Sequence, residues 1–311
     1  MNAMLMIHQD HDEILDNLLA RLQGIWASPI ESFRFEFELK RLEKVIGEFR
    51  RHEPVRAFYL LGLTATLLEE GEKMRAHFKN ALWHSHNDPD VRHGYAACLA
   101  RLGAIAEARD QYRILHKEEP EDLDVLAELI VTTLASGRIQ EGVRQMSTWS
   151  RLNPSRPLEE AASIARNGAL LERFGISDDD VERLQQLALR ILEKERKEIK
   201  TINYTGVPEE DPSWIRADLV VEDSAEAVAA LNLKLAAAAQ AQTATITGCV
   251  VPLIGVQGDY PPGGIQGQSP WDFVFDFSAL FSRSIFRVFC EKCAARRLRE
   301  HRFRFLETML A

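Results

Sequence analysis

The stretch "ARLGAIAEARDQYRILHKEEP", residues 100–120, carries a pattern of side-chain sizes that recurs along the chain. With Gly71, Gly103 and Gly137 placed in register, the copies are 32 and 34 residues apart. Five positions after each glycine stands a small residue, Ala76, Ala108 or Gly142. Nine positions after stand Asn80, Tyr112 and Met146, and twelve after stand Trp83, Leu115 and Trp149. Asp88, Pro120 and Pro154 follow at seventeen. A glycine closing one helix, a small residue where two helices cross, a bulky residue one turn later and a proline stop describe a helix–turn–helix unit. Such a unit cannot bury its apolar face alone, so copies must stack on one another.

The pattern resembles the tetratricopeptide repeat (TPR) family, whose unit is an antiparallel helix pair of about 34 residues. "RLGAIAEARDQYRILHKEEP" matches closely and "ASGRIQEGVRQMSTWSRLNP" matches well. "EEGEKMRAHFKNALWHSHNDPD" reads as a degenerate copy, with Asn80 at the aromatic position and Pro89 displaced by one. The resemblance covers residues 57–155 and implies a solenoid whose first helices line a concave groove. Phe58, Leu61, Ala65 and Leu68 would lie there, then Asp90, His93, Ala97 and Arg101, then Asp124, Ala127, Val131 and Leu134. Peptide-binding members that serve heat-shock chaperones grip a terminal carboxylate with lysine and asparagine at such places. This chain has neither residue at these positions, so that mode is set aside. The apolar groove requires a cover, either a part of this chain or an amphipathic partner helix.

The flanks continue the helical signal. "HDEILDNLLARL" and "FRFEFELKRLEKVIGEFRRHEP" space their apolar residues for helices, giving N-terminal helices over residues 1–56 with the second ending at Pro54. "LEEAASIARNGALLERFG" runs to Gly175. Ser177 then caps a helix striped by Val181, Leu184, Ala188 and Ile191, so residues 156–200 read as capping helices.

Composition shifts after Lys200. "TINYTGVPEEDPSW" reads as a linker or loop, and "IRADLVVED" as a strand. Asp223 and Glu226 can close a capping box over the helix "SAEAVAALNLKLAAAAQAQ". "ATITGCVVPLIGVQ" and "WDFVFDF" read as two further strands, and "SRSIFRVFCEKCAARRLREHRFRFLETML" as a final helix. The expected fold class is therefore mainly α: a TPR-like helical-hairpin solenoid followed by a small α+β C-terminal domain over residues 201–311.

Charge excludes some functions and leaves others open. The net charge of −9 argues against a surface built along its length for nucleic acid. Residues 201–276 hold ten acids and two bases, whereas 277–311 hold eight bases and three acids. The final helix places Arg287, Lys292, Arg296, Arg297 and Arg299 among phenylalanines. It can dock on acidic parts of the chain, bind an acidic partner, or grip phosphates; the acidic neighbourhood disfavours the last. The start, "MNAMLMIHQDHDEIL", is not a secretory signal, and no apolar run reaches the length of a membrane span. Four scattered cysteines make no disulfide framework, and a reducing cytoplasm is the expected compartment.

No catalytic constellation stands out. Cys290 and Cys293 have only His301 nearby as a further zinc ligand, so they read as buried helix residues. His8, His11, His77, His84, His86 and His93 offer no complete ligand set, and no metal or cofactor is expected. "GVQGDYPPGGIQGQSPW" lacks the lysine of a phosphate loop and reads as a connection between strands, with Tyr260 and Trp271 as anchors if it binds anything. The expectation is a scaffold, adaptor or assembly chaperone for a protein or peptide partner. An enzyme or ligand-binding module in residues 201–311 is the alternative, and a nucleic-acid-contacting regulator working through the final helix is a weaker one. Partner, pathway and oligomeric state are not written in the sequence.

Overall fold

The computed structural model describes residues 2–27, 35–155, 161–195, 197, 199–207, 214–221, 223–242, 250–256 and 272–276. The chain is mainly α, and its helices follow one another as consecutive hairpins. In order they are α1 (Asn2–Trp26), α2 (Glu36–Glu48), α3 (Pro54–Leu67), α4 (Gly71–His84), α5 (Pro89–Arg101), α6 (Ile105–Glu118), α7 (Leu123–Ala135) and α8 (Ile139–Leu152). Then come α9 (Ala161–Arg173), α10 (Asp178–Lys194), β1 (Ile199–Val207), β2 (Trp214–Val221), α11 (Ala225–Gln242), β3 (Val250–Val256) and β4 (Asp272–Asp276). Residues 1–98 belong to one compact unit and 99–278 to another.

The turns inside the hairpins correct the repeat register. Glu69, Gly103 and Gly137 hold the left-handed conformation, at φ 58°, 76° and 86°. They are 34 residues apart, as are the helix starts Gly71, Ile105 and Ile139 that follow them. The residue after each left-handed position closes the same turn: Glu70 N donates to Ala65 O at 2.8 Å, Ala104 N to Leu99 O at 2.9 Å and Arg138 N to Thr133 O at 3.1 Å. This six-to-one bond is the Schellman closure of a helix end. In the first copy a glutamate therefore occupies the glycine's place, and Gly71 is the first residue of α4 instead. The copy is full length, and its packing residues are Met74, Phe78 and Ala81, each 0 % exposed. Ala76 and Asn80, assigned to those positions by the glycine alignment, lie on the exposed face of α4.

In the first unit α1 and α2 pack on α3, and α3 pairs with α4. Tyr59 meets Phe78 edge to face at 5.4 Å, and Phe78 stacks on Tyr95 of α5 at 5.2 Å. The contact is closed by Gly62, where a Cβ would stand 2.6 Å from the Phe78 ring. Arg56 ties α3 to α1 through Asp12, at 2.7 Å, and through Asp16.

In the second unit α6 packs on α7, α7 on α8 and α8 on α9, while α10 returns to α8. That return is held by polar groups. The buried Asp178 carboxylate accepts hydrogen bonds from the backbone N–H groups of Gln140 and Glu141, both at 2.9 Å, and so caps α8 from another helix. Glu182 accepts from Arg109 at 2.8 Å and from Arg138 at 2.9 Å. Gln185 donates to the carbonyl of Ala135. Ser177 caps α10 itself, as the sequence leads one to expect, and the structure adds a capping box with Asp180.

The sheet has the order β3-β2-β1-β4. β2 and β3 run parallel on either side of the α11 crossover, and β1 is antiparallel to both β2 and β4. The expected linker is thus partly wrong: its first residues lie in β1, which pairs with a strand on each side. Ile199–Val207 is rich in β-branched and aromatic residues (Ile199, Thr201, Ile202, Tyr204, Thr205 and Val207), and the prolines and acids begin only afterwards. The cap of α11 differs as well. Ser224 Oγ accepts from Ala227 N at 3.2 Å, while Asp223 accepts from Ser224 N at 2.9 Å and pairs with Lys197 at 2.6 Å. Glu226 is exposed and takes no part in that cap.

Candidate functional site

Stacked helical hairpins bury most of their apolar side chains, so an aromatic side chain exposed beside a hollow is a place to look for a site. The α4–α5 turn supplies such a surface. Leu82 and Trp83 adjoin near the end of α4, and the helix can turn only one of them inward. Leu82 is 8 % exposed, whereas Trp83 is 70 % exposed. Trp83 is therefore not a packing residue of its hairpin, which corrects its place in the glycine-based alignment; Ala81 is the residue that fills the core.

A line of rings leads away from Trp83. His84 meets it edge to face at 4.6 Å, and the other side of His84 stacks on Phe58 of α3 at 5.7 Å with only 11° between the planes. Phe58 in turn lies 6.2 Å from His77. Burial lowers the pKa of His77, with Arg50 and Lys73 adding to the effect and Glu43 and Glu70 opposing it.

Lys79, Leu82, Trp83, His84, His86 and Asn87 line an open hollow of about 620 Å³. His86 and Asn87 are both left-handed, at φ 55° and 63°. They are held there by the bond from Asn87 N to Leu82 O at 2.8 Å. Asparagine and histidine tolerate this region better than most residues, yet two in succession still carry strain of the kind that collects at functional turns. Arg92 donates to the side-chain oxygen Oδ1 of Asn87 at 3.3 Å. Asp88 caps the start of α5, accepting from Asp90 N at 2.8 Å. No carboxylate lines the hollow, and Lys79 has no ion-pair partner among the described residues.

The groove residues named from the sequence fall in different surroundings. On α3, Leu61 and Ala65 are each 3 % exposed, while Phe58 and Leu68 are half-buried. On α5, His93 is 6 % and Ala97 0 % exposed, and Arg101 is exposed. On α7, Leu134 is 1 % exposed, with Ala127 and Val131 half-buried. A partner reaches the buried ones only by displacing what covers them. Of the set, only Phe58 joins the ring cluster. Arg287, Lys292, Arg296, Arg297 and Arg299 of the final helix, the cysteine pair and the glycine-proline connection lie outside the described residues.

Among the described residues no three His, Cys, Asp or Glu side chains gather closely enough to hold a metal ion. None of the described helices is long and apolar enough to cross a membrane. No protein-family model, no curated protein and no solved structure matches the chain.

Proposed function

We propose that this chain is a protein-interaction scaffold of the tetratricopeptide-repeat kind, binding a protein partner through its helical hairpins. The observation that carries the reading is the 34-residue recurrence of the left-handed turn residue and of the helix starts. A spacing so regular supports a stacked-hairpin array, and arrays of this kind serve as recognition surfaces. In this reading the sheet and α11 belong to an α+β C-terminal part over residues 201–311, which supports or completes the array.

The experiment has two stages. The full chain is used as bait, and each retained protein is then purified and recombined with it. Hydrogen exchange of the reconstituted complex is expected to show new protection within residues 54–152. A reconstituted complex whose protection is confined to residues 199–276 refutes the scaffold reading and favours a function in the C-terminal part.

A further inference from the structure

The hollow at the α4–α5 turn has a chemistry narrower than that of a general protein-binding face. Its lining combines the exposed indole of Trp83 with Lys79, His84, His86 and Asn87. Arg92 donates to the Asn87 side-chain oxygen, which leaves the Asn87 NH₂ group as a donor. Every polar group named in this lining can donate a hydrogen bond, and none is a carboxylate. His84 is held between Phe58 and Trp83, and the left-handed pair His86–Asn87 is fixed by backbone bonding, so the lining is organised before anything binds.

We propose that this hollow binds an acidic peptide segment of a protein partner, with an apolar or aromatic side chain of that segment seated on Trp83 and its carboxylates on Lys79, His84, His86 and Asn87. The inference rests on the scaffold reading and names the partner chemistry for one part of it. The physical reason is the fate of Lys79. Any occupant that covers Trp83 also removes water from the neighbouring ammonium group, and an ammonium buried without an anion is strongly disfavoured. An occupant with carboxylates satisfies it, and a purely apolar one does not. The indole supplies the anchor: tryptophan and arginine are the residues that most often carry binding energy at interfaces, and surrounding polar groups exclude water from them.

A single-stranded nucleic acid also combines flat rings with negative charge, and stacking on an exposed indole would suit it. The charge balance favours the peptide. A polyphosphate strand extends well past a hollow of about 620 Å³, and a protein of net charge −9 offers its further phosphates no general attraction. An acidic peptide places its few charges where the cations are and continues with neutral residues.

The test uses the full chain and fluorescein-labelled peptides in which Asp and Glu flank a central Phe, Trp or Leu. Matched peptides with Asn and Gln, matched peptides with Lys, and a labelled uridine oligomer serve as controls. Fluorescence anisotropy is expected to show binding of acidic peptides, and at least about tenfold weaker binding once the carboxylates become amides. Trp83→Ala should weaken binding by about tenfold or more, as removal of an interface anchor does. Lys79→Glu should abolish the preference for acidic over amide peptides. Both side chains are exposed, so circular dichroism and melting temperature should match the unsubstituted protein. Failure of every acidic peptide to bind overturns the proposal, as do equal binding of acidic and amide peptides, indifference to Trp83→Ala, or tighter binding of the uridine oligomer. A partner that protects other parts of residues 54–152 while leaving the α4–α5 turn unprotected defeats this inference and leaves the scaffold reading standing.

Discussion

The three equivalent turns form a built-in series for separating backbone strain from crowding. Glu69, Gly103 and Gly137 share one conformation and one closing bond. A side chain in the left-handed region costs about 1–2 kcal/mol through the clash of Cβ with the next carbonyl. Glycine avoids that cost but gives the unfolded chain more freedom, which returns about 0.4–1 kcal/mol. Glu69→Gly is therefore expected to stabilise by about 0.5–1 kcal/mol, because Glu69 is exposed and its side chain has no hydrogen-bond or ion-pair partner among the described residues. At Gly103 an added Cβ meets nothing within 4 Å, so Gly103→Ala should cost only the backbone term, about 1 kcal/mol. At Gly137 the same Cβ stands 2.8 Å from Gln185 Oε1, 3.2 Å from Glu182 N and 3.2 Å from Val181 C. Backbone cannot retreat as a side chain does, so crowding of α10 adds about 1–3 kcal/mol and Gly137→Ala should cost about 2–4 kcal/mol in all. Urea unfolding followed by circular dichroism at constant slope gives the three values. Destabilisation by Glu69→Gly, or equal costs at Gly103 and Gly137, refutes the reasoning.

Four further outcomes follow from particular contacts. Asp178→Ala leaves two α8 N–H groups without an acceptor and should lower stability by about 2–3 kcal/mol, read in the same unfolding assay; Asp178→Asn should recover part of that loss. Glu182→Ala removes the nearest carboxylate from the buried Arg109, which keeps only Ser136 and the more exposed Asp110, and should cost about 1–3 kcal/mol, whereas Asp179→Ala, at a side chain 74 % exposed, should change stability by less than about 0.5 kcal/mol. Burial alone would raise the Glu141 and Glu70 carboxyls, but hydrogen bonds hold them below the usual range, from Arg138 and Arg113 for Glu141 and from Lys40 and Lys73 for Glu70. Because their folded pKa values lie below the unfolded value of 4.5, the stability they give is complete above that pH and is lost as pH falls through the folded values; melting temperature should drop there, and less so in a Glu70→Gln, Glu141→Gln double variant. Trp83→Ala should leave the melting temperature within about 1 °C, since an indole 70 % exposed buries little apolar surface.

Much of the helical framework is legible in the sequence because helix ends are written in short-range chemistry. Ser177 announces the start of α10, and Pro54 stands at the first turn of α3. The register of the first repeat is not legible from glycines, because a left-handed turn needs a backbone conformation and Glu69 adopts it against its propensity. Gly71, two residues on, supplies a false marker; Phe78, falling 34 residues before Tyr112, is the true one. β1 was hidden by the turn-forming residues that directly follow it. The glycine alignment also put Trp83 where Ala81 belongs, which concealed its exposure. The all-round apolarity of "YLLGLTATL" and "YAACLA" does report burial, since a helix with no polar face has no face to leave in water.

That last property decides where recognition can occur. Residues 59–67 of α3 and 93–100 of α5 are buried without a break, so these first helices have little free surface over those spans. Second helices have a free face by construction. α4 uses its own for Lys73, Lys79 and Asn80, and turns Trp83 outward at its end. A singly exposed aromatic is ordinary on a protein surface, as Phe37 at 87 % exposed also shows, so exposure alone does not mark Trp83. Helix packing does not require it, because Leu82 already fills the inward position beside it. What sets Trp83 apart is its setting: a histidine stacked on a second aromatic ring, two strained residues at the turn, and an ammonium group with no ion-pair partner among the described residues. An acidic segment with an apolar anchor is the occupant we propose, because it would satisfy all of them together.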